Sequence, residues 1–368
     1  MKQIYYLSII CTLFLISCEK DAVEESTTLD SQNKTFSKDV LGPDSGLKAV
    51  KKLPQDFFKD INFNLEKAVA PSECGPTEFD AVINASISSN IDGLGGNWYG
   101  DYANFNFYYT ITDESEQFFG NQGQYTNYVV NRTRNLEKFW NMPDEVTVRG
   151  QHNETLNDKQ KIISILEFWY GFPPDLAAFY ADYFVDYINP TSTFLTETPL
   201  LSFDGFAIAL DGFLGQGDLI VIGDGIVELL AATGVEDKIV WSGILAHEWA
   251  HQIQFNNGYL DEYDVEFNND PERTRAGELE ADFFAAYYMT HKLGATYNWK
   301  RVEAFLEVFF NIGDCGFTNG GHHGTPIQRM EAARLGYELA NSGQKKGMIL
   351  SISEVHTAYK TVLPSIVD

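Results

Sequence analysis

Basic residues are scarce in this chain: 26 Lys and Arg stand against 52 Asp and Glu in 368 residues, a formal net charge of −26. A surface of that sign repels phosphate backbones, so nucleic acid is excluded as a partner. Long hydrophobic runs are missing too. Ile4 to Ile16 is the clearest apolar stretch, and it is too short to cross a bilayer as a helix. No internal repeat is apparent. The acidic stretch Asp211–Asp224 lacks the ligand spacing of a calcium-binding loop. Gly215-Gln216-Gly217 and Gly223-Asp224-Gly225 are too irregular to cradle a phosphate. Cysteine is sparse, with Cys11, Cys18, Cys74 and Cys315 making up the 4 present.

The beginning of the chain explains two of those cysteines. Met1-Lys2 followed by the apolar run to Ile16 has the layout of an export signal. The run ends in Leu15-Ile16-Ser17-Cys18, which resembles a bacterial lipobox. On that reading residues 1–17 are removed and Cys18 is lipidated. Its acyl chains hold the protein to a membrane, on the periplasmic side or at the cell surface. Removal takes away Lys2 and moves the net charge from −26 to −27. Residues 18–75 read as a lipidated cysteine and a flexible acidic tether, rich in Ser, Thr, Asp, Glu and Lys. Cys74 and Cys315 remain; they either form one disulfide or stay as two buried thiols. Residues 76–368, with the chain's 44% hydrophobic and 14% aromatic content, can bury a sizeable core.

The chemistry is concentrated in His247-Glu248-Trp249-Ala250-His251, an HExxH. Residues four apart lie on one face of a helix, so His247 and His251 can bind one metal ion. Glu248 sits where it can accept a proton from a metal-activated water, whose pKa zinc lowers from roughly 16 to about 7. The flanks support a helix. Ile239, Val240, Ile244, Leu245, Ala246, Trp249 and Ile253 give it a broad apolar side, and Asn256-Asn257-Gly258 gives it a stop. Downstream, Glu278-Leu279-Glu280-Ala281-Asp282 places Glu278 and Asp282 one turn apart on a second helix. Two carboxylates near a metal suit one ligand and one acceptor for a ligand His N–H. An ordinary acidic helix face is the bland alternative.

These residues resemble those of the bacterial neutral zinc metallopeptidases. The likeness rests on His247-Glu248-Trp249-Ala250-His251-Gln252-Ile253-Gln254, then Glu278-Leu279-Glu280-Ala281-Asp282, then His323-Gly324-Thr325-Pro326-Ile327-Gln328-Arg329. It spans roughly residues 218–340. A looser likeness extends to the gluzincins, including the prenyl-protein endopeptidases. The resemblance implies zinc held by His247, His251 and Glu278, with Asp282 behind them and a peptide or protein as substrate. The membrane-embedded gluzincins are a poor match, because no later hydrophobic span follows the motif.

His323 is a candidate for stabilising a developing oxyanion, with His322 competing for the role. The alternative is a glycine-rich loop capping a helix that starts at Thr325-Pro326. Arg329 is expected either near the reacting centre or paired with a carboxylate of the metal helices. The remaining histidines, His152, His291 and His356, read as ordinary surface or core residues.

The expected architecture is α+β: a mainly helical, zincin-like domain with a small sheet beside the metal helix. Helices are expected near 77–90, 124–140, 158–170, 174–187, 226–233, 237–256, 276–292, 299–311, 326–341 and 352–362. Strands are expected at Phe105–Thr112, Glu145–Arg149, Phe206–Leu210 and Leu219–Gly223. The last lies just before the metal helix, and an exposed edge there could pair with an extended peptide; an internal strand with no free edge is the alternative. Two other functions fit the motifs. One is a surface binding lipoprotein with a structural or degenerate zinc site, which the 19 Tyr and 27 Phe would permit. The other is a zinc hydrolase of a non-peptide bond.

Overall fold

The computed structural model describes residues 78–88, 93–210, 212, 215–267, 269–312, 323–343 and 347–367. The export signal, Cys18, the tether, Cys74, Cys315 and His322 lie outside these residues. Helices α1 (Glu78–Ser88), α2 (Gly93–Thr112) and α3 (Thr126–Trp140) precede strand β1 (Val146–Gln151). Helices α4 (Lys159–Phe168), α5 (Pro174–Asp182) and α6 (Thr193–Glu197) lead to β2 (Gly205–Ile208) and β3 (Asp218–Gly223). Then follow α7 (Asp224–Ala231), α8 (Asp237–Asn257), α9 (Tyr259–Glu266), α10 (Asp270–Thr290), α11 (Trp299–Ile312), α12 (Pro326–Gly343) and α13 (Ile352–Val367). The chain is therefore mainly helical with one small sheet, an α+β arrangement. Among the described residues no helix is long and apolar enough to cross a membrane.

Local chemistry sets several boundaries. Asp158 caps α4 by accepting from the backbone N–H groups of Gln160 and Lys161. Asn269 caps α10 through Glu272 N–H, with a proline in the first turn. The helix starts earlier than its apolar pattern, which begins only near Ala276. Thr325 and Gln328 exchange reciprocal hydrogen bonds of 3.1 and 3.2 Å, a capping box that opens α12 at Pro326 as expected. Gly258, at φ 69°, ends α8 in the left-handed conformation that glycine adopts without strain.

The sheet order is β1-β3-β2, with β1 parallel and β2 antiparallel to β3. This corrects one expectation: Leu219–Gly223 has no free edge, because it is the central strand. Leu219, Ile220, Val221 and Ile222 are all buried. An uninterrupted apolar run of this kind marks a strand covered on both faces. A second correction concerns Phe105–Thr112, which lies within α2 rather than in a strand. Tyr99, Tyr102, Phe105, Asn106, Thr110 and Ile111 are buried at helical spacing. Burial of that face outweighs the strand preference of aromatic and β-branched residues. Helix α9 and the first half of α2 were not foreseen from the periodicity. The expected helix to residue 187 instead ends as α5 and continues as a π-helical segment, Tyr183–Ile188.

Helix α8 runs through the core. Every residue from Ile239 to Gln254 is buried. Strands β2 and β3 pack on it from one direction, α10 from another, and α3, α7 and α11 complete its surroundings. Helix α10 is equally enclosed, buried from Ala276 to Thr290 and covered by α12. The approach of α8 to α11 depends on Gly243, where a Cβ would lie 1.5 Å from Cε2 of Phe305. Gly243→Ala should therefore destabilise the protein by about 1–3 kcal/mol through overpacking. Gly243→Ala combined with Phe305→Leu should recover part of that loss. Thermal unfolding of both variants measures this, and an unchanged midpoint in the single variant would contradict the packing.

Candidate metal centre

Two helices present the ligand set. His247 and His251 project from α8 one turn apart, and Glu278 faces them from α10. One ligand atom from each lies within 4.8 Å of the others, and all three residues are buried. The two imidazole Nε2 atoms are 3.1 Å apart. Glu278 Oε2 is 3.3 Å from His247 Nε2, and its Oε1 is 3.5 Å from His251 Nε2.

The opposite side of each ring is already engaged. His247 Nδ1 is 3.0 Å from Asp282 Oδ1. His251 Nδ1 is 2.8 Å from Gln254 Oε1. Asp282 is itself gripped by Arg329, which donates from Nε to Oδ2 and from Nη2 to Oδ1, each at 2.8 Å. This bidentate geometry is the strongest form of an Arg–carboxylate pair. Arg329 Nη2 also lies 3.8 Å from Glu278 Oε2. Of the two expectations for Arg329, pairing with a metal-helix carboxylate is the one realised.

This donor set fits a cation. With His251 Nδ1 paired to Gln254 and His247 Nδ1 beside Asp282, both Nε2 atoms converge on the Glu278 carboxylate. Both Glu278 oxygens are buried without a well-aligned hydrogen-bond donor. A buried carboxylate facing two imidazole nitrogens calls for positive charge between them, which a metal ion or a proton on His247 can supply. Two imidazoles and a carboxylate suit a zinc-like ion, and three protein ligands leave a coordination position open. Among the described residues no fourth His, Cys, Asp or Glu joins the set.

The electrostatics reflect the same crowding. Burial works against charge on His247, but Asp282 and Glu278 outweigh it and raise its pKa to about 9. His251 goes the other way, lowered to about 4, mainly by burial. Burial also opposes the Glu278 and Asp282 charges. His323, His251 and His247 nevertheless hold Glu278 far below the usual carboxylate range, and Arg329 holds Asp282 down. Glu248, only 1% exposed, is pushed up to about 8, chiefly by burial. Its Oε2 has no hydrogen-bond partner.

The residues anticipated from the motif thus come together: His247, His251, Glu278, Glu248 and Asp282. His323 is partly buried and close enough to Glu278 to lower its pKa, though it is not one of the converging ligands. The other histidines serve elsewhere. His152 follows β1, pairs with Asp224 at 2.6 Å and stacks on Phe118. His291 lies 3.1 Å from the Met348 carbonyl oxygen through Nε2. His356 reaches Glu280 and Glu262. Sequence reasoning passed over Gln254 and Glu280 as part of the site. Gln254, three residues after His251 on the same helix face, could have been found from that spacing.

Comparison with protein families, curated proteins and solved structures gives no match.

Removing Arg329 should leave Asp282 buried and uncompensated. Arg329→Met is expected to cost roughly 3–5 kcal/mol of stability. Chemical denaturation measures it, and a loss under about 1 kcal/mol would show the pair to be dispensable.

Proposed function

We propose that this chain is a zinc metallopeptidase of the gluzincin type, exported and anchored to a membrane through Cys18. The observation that carries the reading is the convergence of His247, His251 and Glu278 around one point, with Glu248 on the same helix. A zinc ion bound there would polarise a scissile carbonyl and acidify a water to a pKa of about 7. His247, His251 and Glu278 hold that ion. Asp282, fixed by Arg329, keeps the His247 ring in the tautomer that turns Nε2 inward.

Glu248 is the general base and, later, the acid. Burial raises its pKa and so strengthens the carboxylate as a base toward water, while a bound cation nearby would hold it ionised until it takes the proton that it later returns to the leaving amine. The buried surroundings responsible for that shift also strengthen each electrostatic contact made during the reaction. His323, beside Glu278, is the candidate donor to the oxyanion.

A peptide is favoured as substrate by the likeness of the motif residues to those of the zinc metallopeptidases. Strand β2 is a buried wall beside the base: a Cβ at Gly205, its first residue, would lie 3.8 Å from Glu248 Oε1. A purely structural zinc site has no use for a buried glutamate such as Glu248 beside the ligands, with one carboxylate oxygen lacking a hydrogen-bond partner.

Purified residues 19–368 should carry one zinc per chain and cleave members of a mixed peptide library. Glu248→Gln should keep the zinc and lose roughly 10²- to 10⁴-fold in rate. A fully active Glu248→Gln variant would remove Glu248 from the mechanism, and zinc without cleavage in the wild type would favour a binding protein. Localisation is tested separately. Cys18→Ser should move the full chain from the membrane to the soluble fraction on ultracentrifugation; an unchanged distribution would count against the anchor.

A further inference from the structure

The two metal-facing histidines are oriented by different means. His247 is held by a carboxylate, Asp282, whereas His251 is held by an amide, that of Gln254. A carboxylate can only accept from a neutral partner, so it fixes the tautomer of the ring it faces. An amide can either accept or donate, depending on which way it is turned. A ligand histidine held by a glutamine is therefore correctly oriented only if something else fixes the glutamine.

The surroundings of Gln254 do so. Its Nε2 lies 2.7 Å from the carbonyl oxygen of Gly277 and 2.9 Å from Oε2 of Glu280. Both are acceptors, so the amide nitrogen must face them. Its oxygen must then face His251 Nδ1, which must carry the hydrogen. The Nε2 lone pair of His251 is left pointing at Glu278 and the metal position. The chain does not stop there. The other oxygen of Glu280, Oε1, pairs with Nδ1 of His356 on α13. His356 stacks on Tyr259 with ring centroids 3.7 Å apart, and its Nε2 lies 3.1 Å from Glu262 on α9.

Glu280 is wholly buried, and a buried carboxylate is costly unless its partners are in place. It belongs to the same helix as Glu278 and Asp282 but touches neither ligand histidine. We propose that Gln254 and Glu280 form a positioning chain that sets the tautomer and ring plane of His251, and that His356 links the C-terminal helix α13 to the metal centre through it. This rests on the metal-centre reading given above. Neither Glu280 nor His356 touches substrate or the reacting atoms; both act through Gln254.

The experiment measures zinc affinity by competition with a chromogenic chelator, together with the visible spectrum of the cobalt-substituted protein. It compares the full soluble chain, residues 19–368, as wild type, Glu280→Gln, Gln254→Met and His356→Asn. Glu280→Gln should weaken zinc binding roughly 10- to 100-fold and alter the cobalt spectrum, because it replaces an obligate acceptor of the Gln254 nitrogen by an amide that can present a donor, leaving the Gly277 carbonyl alone to orient Gln254. Gln254→Met, which removes the acceptor for His251 outright, should do at least as much. His356→Asn should produce a smaller change in the same direction. Wild-type affinity and spectrum in Glu280→Gln, even with lower thermal stability, would overturn the chain and leave Glu280 as a structural pair. If Glu280→Gln does not fold, wild-type affinity in Gln254→Met overturns it equally. A wild-type protein that takes up no zinc would overturn the metal centre and the chain together, which separates that failure from failure of the chain alone.

Discussion

A carboxylate and two imidazole Nε2 atoms, all buried, face one another between α8 and α10. Each has lost its water, at a cost on the order of several kcal/mol for the ionised group. A folded protein tolerates this only where a compensating charge is present or the groups serve some purpose. A cation held between Glu278, His247 and His251 would resolve the conflict. The groups behind them follow from the same requirement, because ligands that must face inward need partners that hold their other atoms outward.

The fold meets that requirement through rigidity. Both helices that carry the candidate ligands are buried over the stretch that matters, so those side chains ride on elements with little freedom to shift. Arg329 comes from α12, which meets α10 closely enough that a Cβ at Gly336 would lie 2.2 Å from the carbonyl oxygen of Phe283. Close packing thus delivers a guanidinium to a buried carboxylate that would otherwise be destabilising. The sheet supplies the opposite wall, with Gln252 Nε2 donating to the carbonyl oxygens of Ile208 and Leu219 and so tying α8 to β2 and β3. Within two turns of α8, His247 and His251 face the candidate metal position, Glu248 stands beside them and Gln252 ties the helix to the sheet, so small errors in its placement would be felt in all three.

The site was more legible in the sequence than the fold around it. His247, Glu248 and His251 declare themselves because helix geometry converts a spacing of four into a shared face. Glu278 and Asp282 are readable for the same reason. Arg329 was narrowed to two roles, and only three-dimensional packing could choose between them. Glu280 and His356 went unread because their contacts join residues as far apart as 94 positions, which no local pattern encodes, whereas Gln254 stood three residues from His251 and was readable. The strand expected at Phe105–Thr112 failed where tertiary burial of an aromatic helix face overrode local preference. The edge expected at Leu219–Gly223 failed for a subtler reason: an apolar run announces burial on both faces, yet proximity to the metal helix suggested a boundary.

The account stands or falls on the identity of the ligands. X-ray absorption at the zinc edge, on wild-type protein purified without added metal, measures them directly. The structure predicts a first shell of nitrogen and oxygen at about 2.0–2.1 Å, with imidazole scattering from two histidines. A shell containing sulfur at about 2.3 Å, or one that keeps two imidazoles in a variant lacking His247, would contradict it.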